Sequence, residues 1–120
     1  MKVLVVDDEV VVANFLCEFL RRLGLDAEKV HSAKEALVIF KQHQPEWVFL
    51  DIKIPDMDGL ELLKKMKEIN HQVKSIMVTG KDDETSQTQA HALGVYDYII
   101  KPLDLEELYK IVNKHILNNE

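Results

Sequence analysis

At 120 residues the chain has room for one domain with a core that needs neither disulfides nor a structural metal. The single cysteine, Cys17, leaves no internal disulfide, and neither a charged-then-apolar leader nor a long apolar span is visible. The expected setting is soluble, reducing and cytoplasmic, with no membrane. A net charge of -6 argues against general nucleic-acid binding, which needs a basic face, and leaves small anions with a metal, or another protein, as partners.

The elements alternate along the chain. "KVLVV" reads as a buried strand that stops on Asp7-Asp8. Residues 9–23 carry Ala13, Leu16, Leu20 and Leu23 at helical spacing, with Gly24 where a helix C-terminal glycine belongs. Val10 to Val12 are poor helix formers, which leaves the first turn open on propensity alone. Ala27 to Val30 form a short strand, charged enough for a sheet edge. Ser32 with Glu35 makes a capping box for a helix burying Ala36, Leu37 and Phe40, which Pro45 closes.

"EWVFLD" is a continuous apolar run ending on Asp51, as a sheet covered on both faces requires. A helix over Leu60–Ile69 and the strand "KSIMVT", ending on Thr79, follow. From Asp82 to Leu93 only Ala90, Ala92 and Leu93 can reach a core, which predicts a weakly anchored, mobile helix. "VYDYII" runs into Lys101, and Asp104 with Glu107 opens a last helix with Leu105, Leu108, Tyr109, Val112 and Ile116 on one face. Trp47 reads as packing at a strand start, about 13 Å from Asp51 at strand rise, and so as a poor reporter of metal binding.

Five strands alternating with five helices predict a doubly wound α/β fold with a parallel sheet, because parallel neighbours need crossovers. Ligands of such sheets bind outside the carboxyl ends of the strands, where strand order reverses. Asp7, Asp8, Asp51, Thr79 and Lys101 all map to that rim. Taken singly, the two N-terminal acids could be a helix start, Thr79 a strand-end hydroxyl and Lys101 a solvated cation; together those readings need several coincidences.

Three carboxylates held close must be neutralised or raised in pKa, and a divalent cation neutralises them. Oxygen ligands without His or Cys suggest magnesium, with manganese as a substitute. The histidines at 31, 43, 71, 91 and 115 show no paired spacing and read as surface residues, against zinc or copper. A cation and a hydroxyl beside the acids suit a phosphoryl group, and an aspartate can accept one as an acyl phosphate. Asp51 would be that nucleophile, with metal and Lys101 offsetting charge and Thr79 donating to a phosphoryl oxygen.

With these residues, from "VLVVDDE" through "FLDIKIPDMDGLELL" and "VTG" to "YIIKPLDLEEL", essentially the whole chain resembles the receiver domain of two-component response regulators. The resemblance implies the flavodoxin-like strand order 2-1-3-4-5 with five helices on both faces. It implies Asp51 as phospho-acceptor and a magnesium site of Asp7, Asp8, Asp51 and the backbone carbonyl of Lys53. Thr79 and Tyr98 would be a switch pair, Lys101 the phosphate-binding lysine, and Lys101-Pro102 a cis peptide bond. The expected partners are a sensor histidine kinase or histidine phosphotransfer protein, which supplies the phosphoryl group, and a downstream effector. Readout would run through the fourth helix, last strand and last helix, where a phosphorylation-dependent homodimer could also form.

Lys53 and Lys81, each two residues after a site residue, are expected to tune the pocket, or else to point into solvent. A pseudo-receiver, a binding module of the same fold, would lack at least one site residue, and none is missing. A haloacid-dehalogenase-type hydrolase would place an acid where Lys53 stands. "DDEV" would repel a flavin phosphate, and "TGKDD" lacks the residues of a P-loop. With Met1 leading into the first strand and Glu120 closing the last helix, one domain over 1–120 without an output domain is expected. That allows a free-standing receiver, a phosphorelay intermediate, or the receiver of a longer regulator.

Overall fold

The computed structural model of the chain describes residues 1–80 and 84–117. β1 (Lys2–Val6), β2 (Asp26–Val30), β3 (Trp47–Leu50), β6 (Lys74–Thr79) and β7 (Asp97–Ile100) form one sheet in the order β2-β1-β3-β6-β7. Every pairing in it is parallel. This is the expected doubly wound order, with the sequence reversing direction between β1 and β3. A feature the sequence did not announce is a second, two-stranded antiparallel sheet of β4 (Lys53–Ile54) and β5 (Met57–Asp58), a hairpin inserted after Asp51.

Two cores flank the sheet, and the period-2 alternation of each strand divides them. Leu4, Val6, Val48, Leu50 and Met77 face α2 (Ala33–His43) and α3 (Gly59–Ile69), meeting Ala36, Phe40, Leu62, Leu63 and Met66. Val3, Val5, Phe49, Ile76, Val78 and Ile99 face α1 (Val10–Arg22) and α5 (Leu105–Val112), meeting Leu16, Leu20, Leu108 and Val112. Both faces being covered is why the central strands read as unbroken apolar runs.

The helix ends follow their local chemistry. Gly24 takes φ 89° after α1, as a C-terminal glycine does. Gln44 takes φ 48° at the end of α2, where the following Pro45 disfavours a further helical residue. Ser32 Oγ accepts from Glu35 N, and Asp104 accepts from the N–H groups of Glu106 and Glu107.

Three expectations need correction. In α5 and the π-helical turn after it (Asn113–Leu117), Leu108, Val112 and Ile116 are buried, but Leu105 and Tyr109 are 55% and 47% exposed. Those two lie four apart on a neighbouring stripe of the same helix, turned from the sheet. In α4 (Glu84–Ala92) the buried residues are Ser86 and Ala90; Ala92 is exposed and Leu93 half-buried. Asp82 and Asp83, in the expected helix start, lie outside the described residues. Finally, not every histidine is a surface residue. His115 is half-buried, with Nε2 3.0 Å from Asp97 Oδ2, and its ring stands 5.7 Å from that of Tyr96. His31 is half-buried too.

Candidate functional site

The carboxyl ends of β1, β3 and β6 bring Asp7, Asp51 and Thr79 to one rim, with Lys101 arriving just past β7. Asp7, Asp51 and Thr79 are buried, at 1%, 4% and 1% exposure, while Asp8 is exposed. One carboxylate oxygen from each of Asp7, Asp8 and Asp51 lies within 4.8 Å of the others. The acids brought together are therefore the ones the strand pattern named.

Lys101 Nζ bridges them. It lies 2.8 Å from Asp7 Oδ2 and donates to Asp51 Oδ2 at 2.9 Å and to Glu9 Oε1 at 2.6 Å. Burial works to lower the Lys101 pKa, but the neighbouring carboxylates of Asp7, Glu9 and Asp51 outweigh it, and the ammonium is held above its usual range. Asp7 moves upward for a different reason. Burial penalises its charge, and the lysine and the Glu9 N–H, donated to Asp7 Oδ1 at 2.9 Å, offset that only in part.

Backbone contacts set the remaining geometry. Asp51 Oδ1 accepts from Lys53 N at 3.2 Å, so the turn after β3 folds back on the acid. Gly59 N donates to Ile52 O at 2.7 Å, closing the base of the hairpin. A Cβ on Gly59 would stand 2.0 Å from Asp51 O, which makes that glycine a requirement of close approach. Lys101 N donates to Thr79 O at 2.9 Å, tying the two strand ends together, and the Lys101-Pro102 bond is cis as expected.

Tyr98 pairs with Met77, two residues before Thr79, on the same face of the sheet, and is half-buried there. The Lys53 side chain is exposed, and Lys81 lies outside the described residues. Two contributors escaped the sequence reading. Glu9 joins Lys101 across 92 residues of chain, and its only trace is a third acid after Asp7-Asp8. Asp56 ties the hairpin to α2.

The residues fit a hard cation. The donors are oxygens only, and among the described residues Asp7 Oδ2 is buried with no aligned hydrogen-bond donor, although Lys101 Nζ stands close to it.

A flavodoxin-like sheet with an acidic, lysine-bridged pocket at its switch point defines the class as a small α/β domain with a charged, metal-competent rim. Residues 3–113 match the family model of the response regulator receiver domain, and the chain belongs to that family. It is a receiver domain of the two-component kind, a signalling domain rather than an enzyme in the ordinary sense, and such domains interact with histidine kinases and effector domains. It is 32% identical over 115 residues to sporulation initiation phosphotransferase F of Bacillus subtilis strain 168, covering 96% of this chain and 93% of that protein. It is 35% identical over 108 residues to the transcriptional regulatory protein TrcR of Mycobacterium tuberculosis, covering 90% of this chain but only 42% of TrcR. Among solved structures, a chain of the CheX–CheY–BeF3–Mg2+ complex from Borrelia burgdorferi superposes with a TM-score of 0.88 at 27% identity, over 95% of this chain and 87% of that one. No helix among the described residues is long and apolar enough to cross a membrane.

Proposed function

We propose that the chain is a phosphorylation switch in which Asp51 accepts a phosphoryl group from a phosphohistidine. The observation that carries this reading is the bridge of Lys101 Nζ to Asp51 Oδ2 at 2.9 Å, with the buried Asp7 beside it. A carboxylate oxygen of Asp51 attacks phosphorus, the bond from phosphorus to the donor imidazole breaks, and an acyl phosphate forms. Lys101 meets the negative charge that gathers on the phosphoryl oxygens, and Thr79 donates to one of them. Asp7, Asp8, Asp51 and the Lys53 carbonyl would hold Mg2+, or Mn2+ in its place. When bound, the ion neutralises the carboxylates and the developing phosphoryl charge. The Borrelia burgdorferi complex was solved with Mg2+ and BeF3, which supports magnesium for this donor set.

The receiver itself catalyses both the transfer and the later hydrolysis in this reading. Thr79 is drawn toward the phosphoryl group, and Tyr98, on the same sheet face, follows. The change is read on α4, β7 and α5, and weak anchoring of α4, with Ser86 and Ala90 as its buried residues, suits an element that must move. The donor is a sensor histidine kinase or a histidine phosphotransfer protein, and the recipient of the signal a downstream effector. A relay role draws support from the near full-length likeness to the phosphotransferase of Bacillus subtilis. One receiver domain over residues 1–120, in the cytoplasm, with a phosphorylation-dependent homodimer as one mode of output, completes the reading. Lys53, whose side chain is exposed, and Lys81 stand as tuning residues. Lys53→Ala is expected to change magnesium affinity or the dephosphorylation rate, and constancy of both removes Lys53 from that role.

Intact mass after incubation with acetyl phosphate and magnesium tests the centre of the reading. The wild type should gain one phosphoryl group, and neither Asp51→Asn nor a chelated sample should. Folded wild type that gains none from acetyl phosphate or from a phosphohistidine donor refutes it.

A further inference from the structure

The hairpin that follows Asp51 is fastened at its tip to a distant helix. Asp56, in the turn between β4 and β5, accepts from Ala33 N at Oδ1, 2.9 Å, and from Lys34 N at Oδ2, 3.0 Å. These are the first two N–H groups of α2. The third, from Glu35, goes to Ser32 Oγ at 3.1 Å, and the next N–H, from Ala36, makes the first intrahelical bond, to Ser32 O at 3.0 Å. A helix start leaves four such donors without intrahelical partners, and a serine cap satisfies one of them. The α2 cap is therefore complete only with a carboxylate delivered from 22 and 23 residues away.

The corner between β2 and α2 touches both halves of the pocket. On one side Asp7 N donates to Val30 O at 3.2 Å and His31 Nδ1 lies 3.0 Å from Asp7 O. On the other side Asp56 holds the hairpin that carries Lys53, whose N–H meets Asp51 Oδ1. With two residues in each strand the hairpin is far too short to hold its own shape in water. Its geometry comes from its anchors: Ile52 and Ile54 in the core, Gly59 N on Ile52 O at the base, and Asp56 on α2 at the tip. The two N–H bonds hold the Asp56 carboxyl below its ordinary range.

We propose that Asp56 is a positioning residue for the metal site, clamping the hairpin to α2 so that the Lys53 carbonyl keeps its place relative to Asp7 and Asp51. The inference rests on the reading above, in which that carbonyl is a ligand. Asp56 itself touches neither metal nor phosphoryl group. Partners that orient ligands from outside the coordination shell typically change metal affinity by 10- to 100-fold.

The test is calorimetric titration of the full chain with Mg2+, beside melting curves in chelator, for wild type, Asp56→Ala, Asp56→Asn and Ser32→Ala. Both alanine variants remove part of the same helix cap, so both should melt earlier. Only Asp56→Ala should weaken Mg2+ binding, by about tenfold. Asp56→Asn, which keeps one acceptor oxygen, should lie closer to wild type. Asp56→Ala binding within about twofold of wild type overturns the inference. So does Ser32→Ala losing as much affinity as Asp56→Ala, which would mean helix fraying, and so does Asp56→Asn losing as much, which would mean charge alone. If Asp56→Ala does not fold, Asp56→Ser, whose single hydroxyl cannot meet both N–H groups, decides: a several-fold loss beside an unaffected Ser32→Ala and a milder Asp56→Asn supports the clamp, and no loss overturns it. Folded wild type that binds no Mg2+ is a separate result and removes the metal reading of the pocket.

Discussion

Gly59→Ala is the sharpest test of how the site is built. The added methyl would lie 2.0 Å from Asp51 O and 2.8 Å from both Asp51 C and Ile52 Cα, against a floor of 3.0 Å for real Cβ contacts. All three neighbours are backbone, so no rotamer change relieves the clash, and Asp51 O must move away by about 1 Å to regain even that floor. Overpacking of this kind costs about 1–3 kcal/mol, and losing the Gly59 N to Ile52 O bond adds about 1 kcal/mol. A domain of this size should then melt on the order of 10 °C earlier. The displaced atoms belong to Asp51 itself, so its 2.9 Å contact with Lys101 should loosen and phosphoryl uptake from acetyl phosphate should fall with stability. The control is Gly80→Ala, where a Cβ meets nothing within 4 Å among the described residues and which should melt with the wild type. Melting in chelator is the assay; Gly59→Ala and Gly80→Ala melting alike would refute the close-approach argument.

Two further outcomes follow from the electrostatics and packing. Burial raises the Asp7 pKa above its ordinary 3.8, so the folded state takes up that proton more readily than the unfolded one. In chelator the urea midpoint should therefore rise on acidification from neutral pH toward the Asp7 titration, and Asp7→Asn should abolish that rise. Asp56 acts with the opposite sign, since its lowered pKa stabilises the fold above 3.8 and the contribution is lost only as pH falls below that value. Trp47, 1% exposed, sits 5.0 Å from the Tyr96 ring and 6.4 Å from the His115 ring at the strand end away from Asp51. Its emission should change little with Mg2+, and a large magnesium-dependent change would refute that placement.

The parts of the molecule that could be read from sequence are those where local pattern and global position coincide. "KVLVV", "WVFL" and "SIMV" are apolar without interruption because both sheet faces are covered, and the polar residue ending each run had to lie at the carboxyl rim. Where the pattern was degenerate the reading slipped. Leu105 and Tyr109 share helical spacing with one another as well as with the buried stripe, and periodicity alone does not say which stripe meets the sheet. The hairpin has two residues per strand, too few to show any period. Glu9 and Asp56 act over 92 and 22 or 23 residues, and no local signal marks a contact of that span.

Glu9 also bears on the charge balance of the site. One ammonium, on Lys101, faces the carboxylates of Asp7, Glu9 and Asp51, and Asp8 lies within reach of the same space. Among the described residues the pocket is thus short of positive charge, and a phosphoryl group brings more negative charge with it. Lys101 cannot serve that group fully while it also holds Glu9 at 2.6 Å and Asp51 at 2.9 Å. Asp7, Asp8 and Asp51 would hold a divalent ion whose charge would offset this deficit, and in the proposed reading Lys101 turns from its carboxylates to the phosphoryl oxygens. Under the proposed function, Glu9→Gln, which releases one claim on Lys101, should raise the rate of phosphoryl uptake at limiting magnesium. Stopped reactions with acetyl phosphate over a magnesium series measure it, and an unchanged or lower rate at limiting magnesium would show that Glu9 does not compete for the lysine.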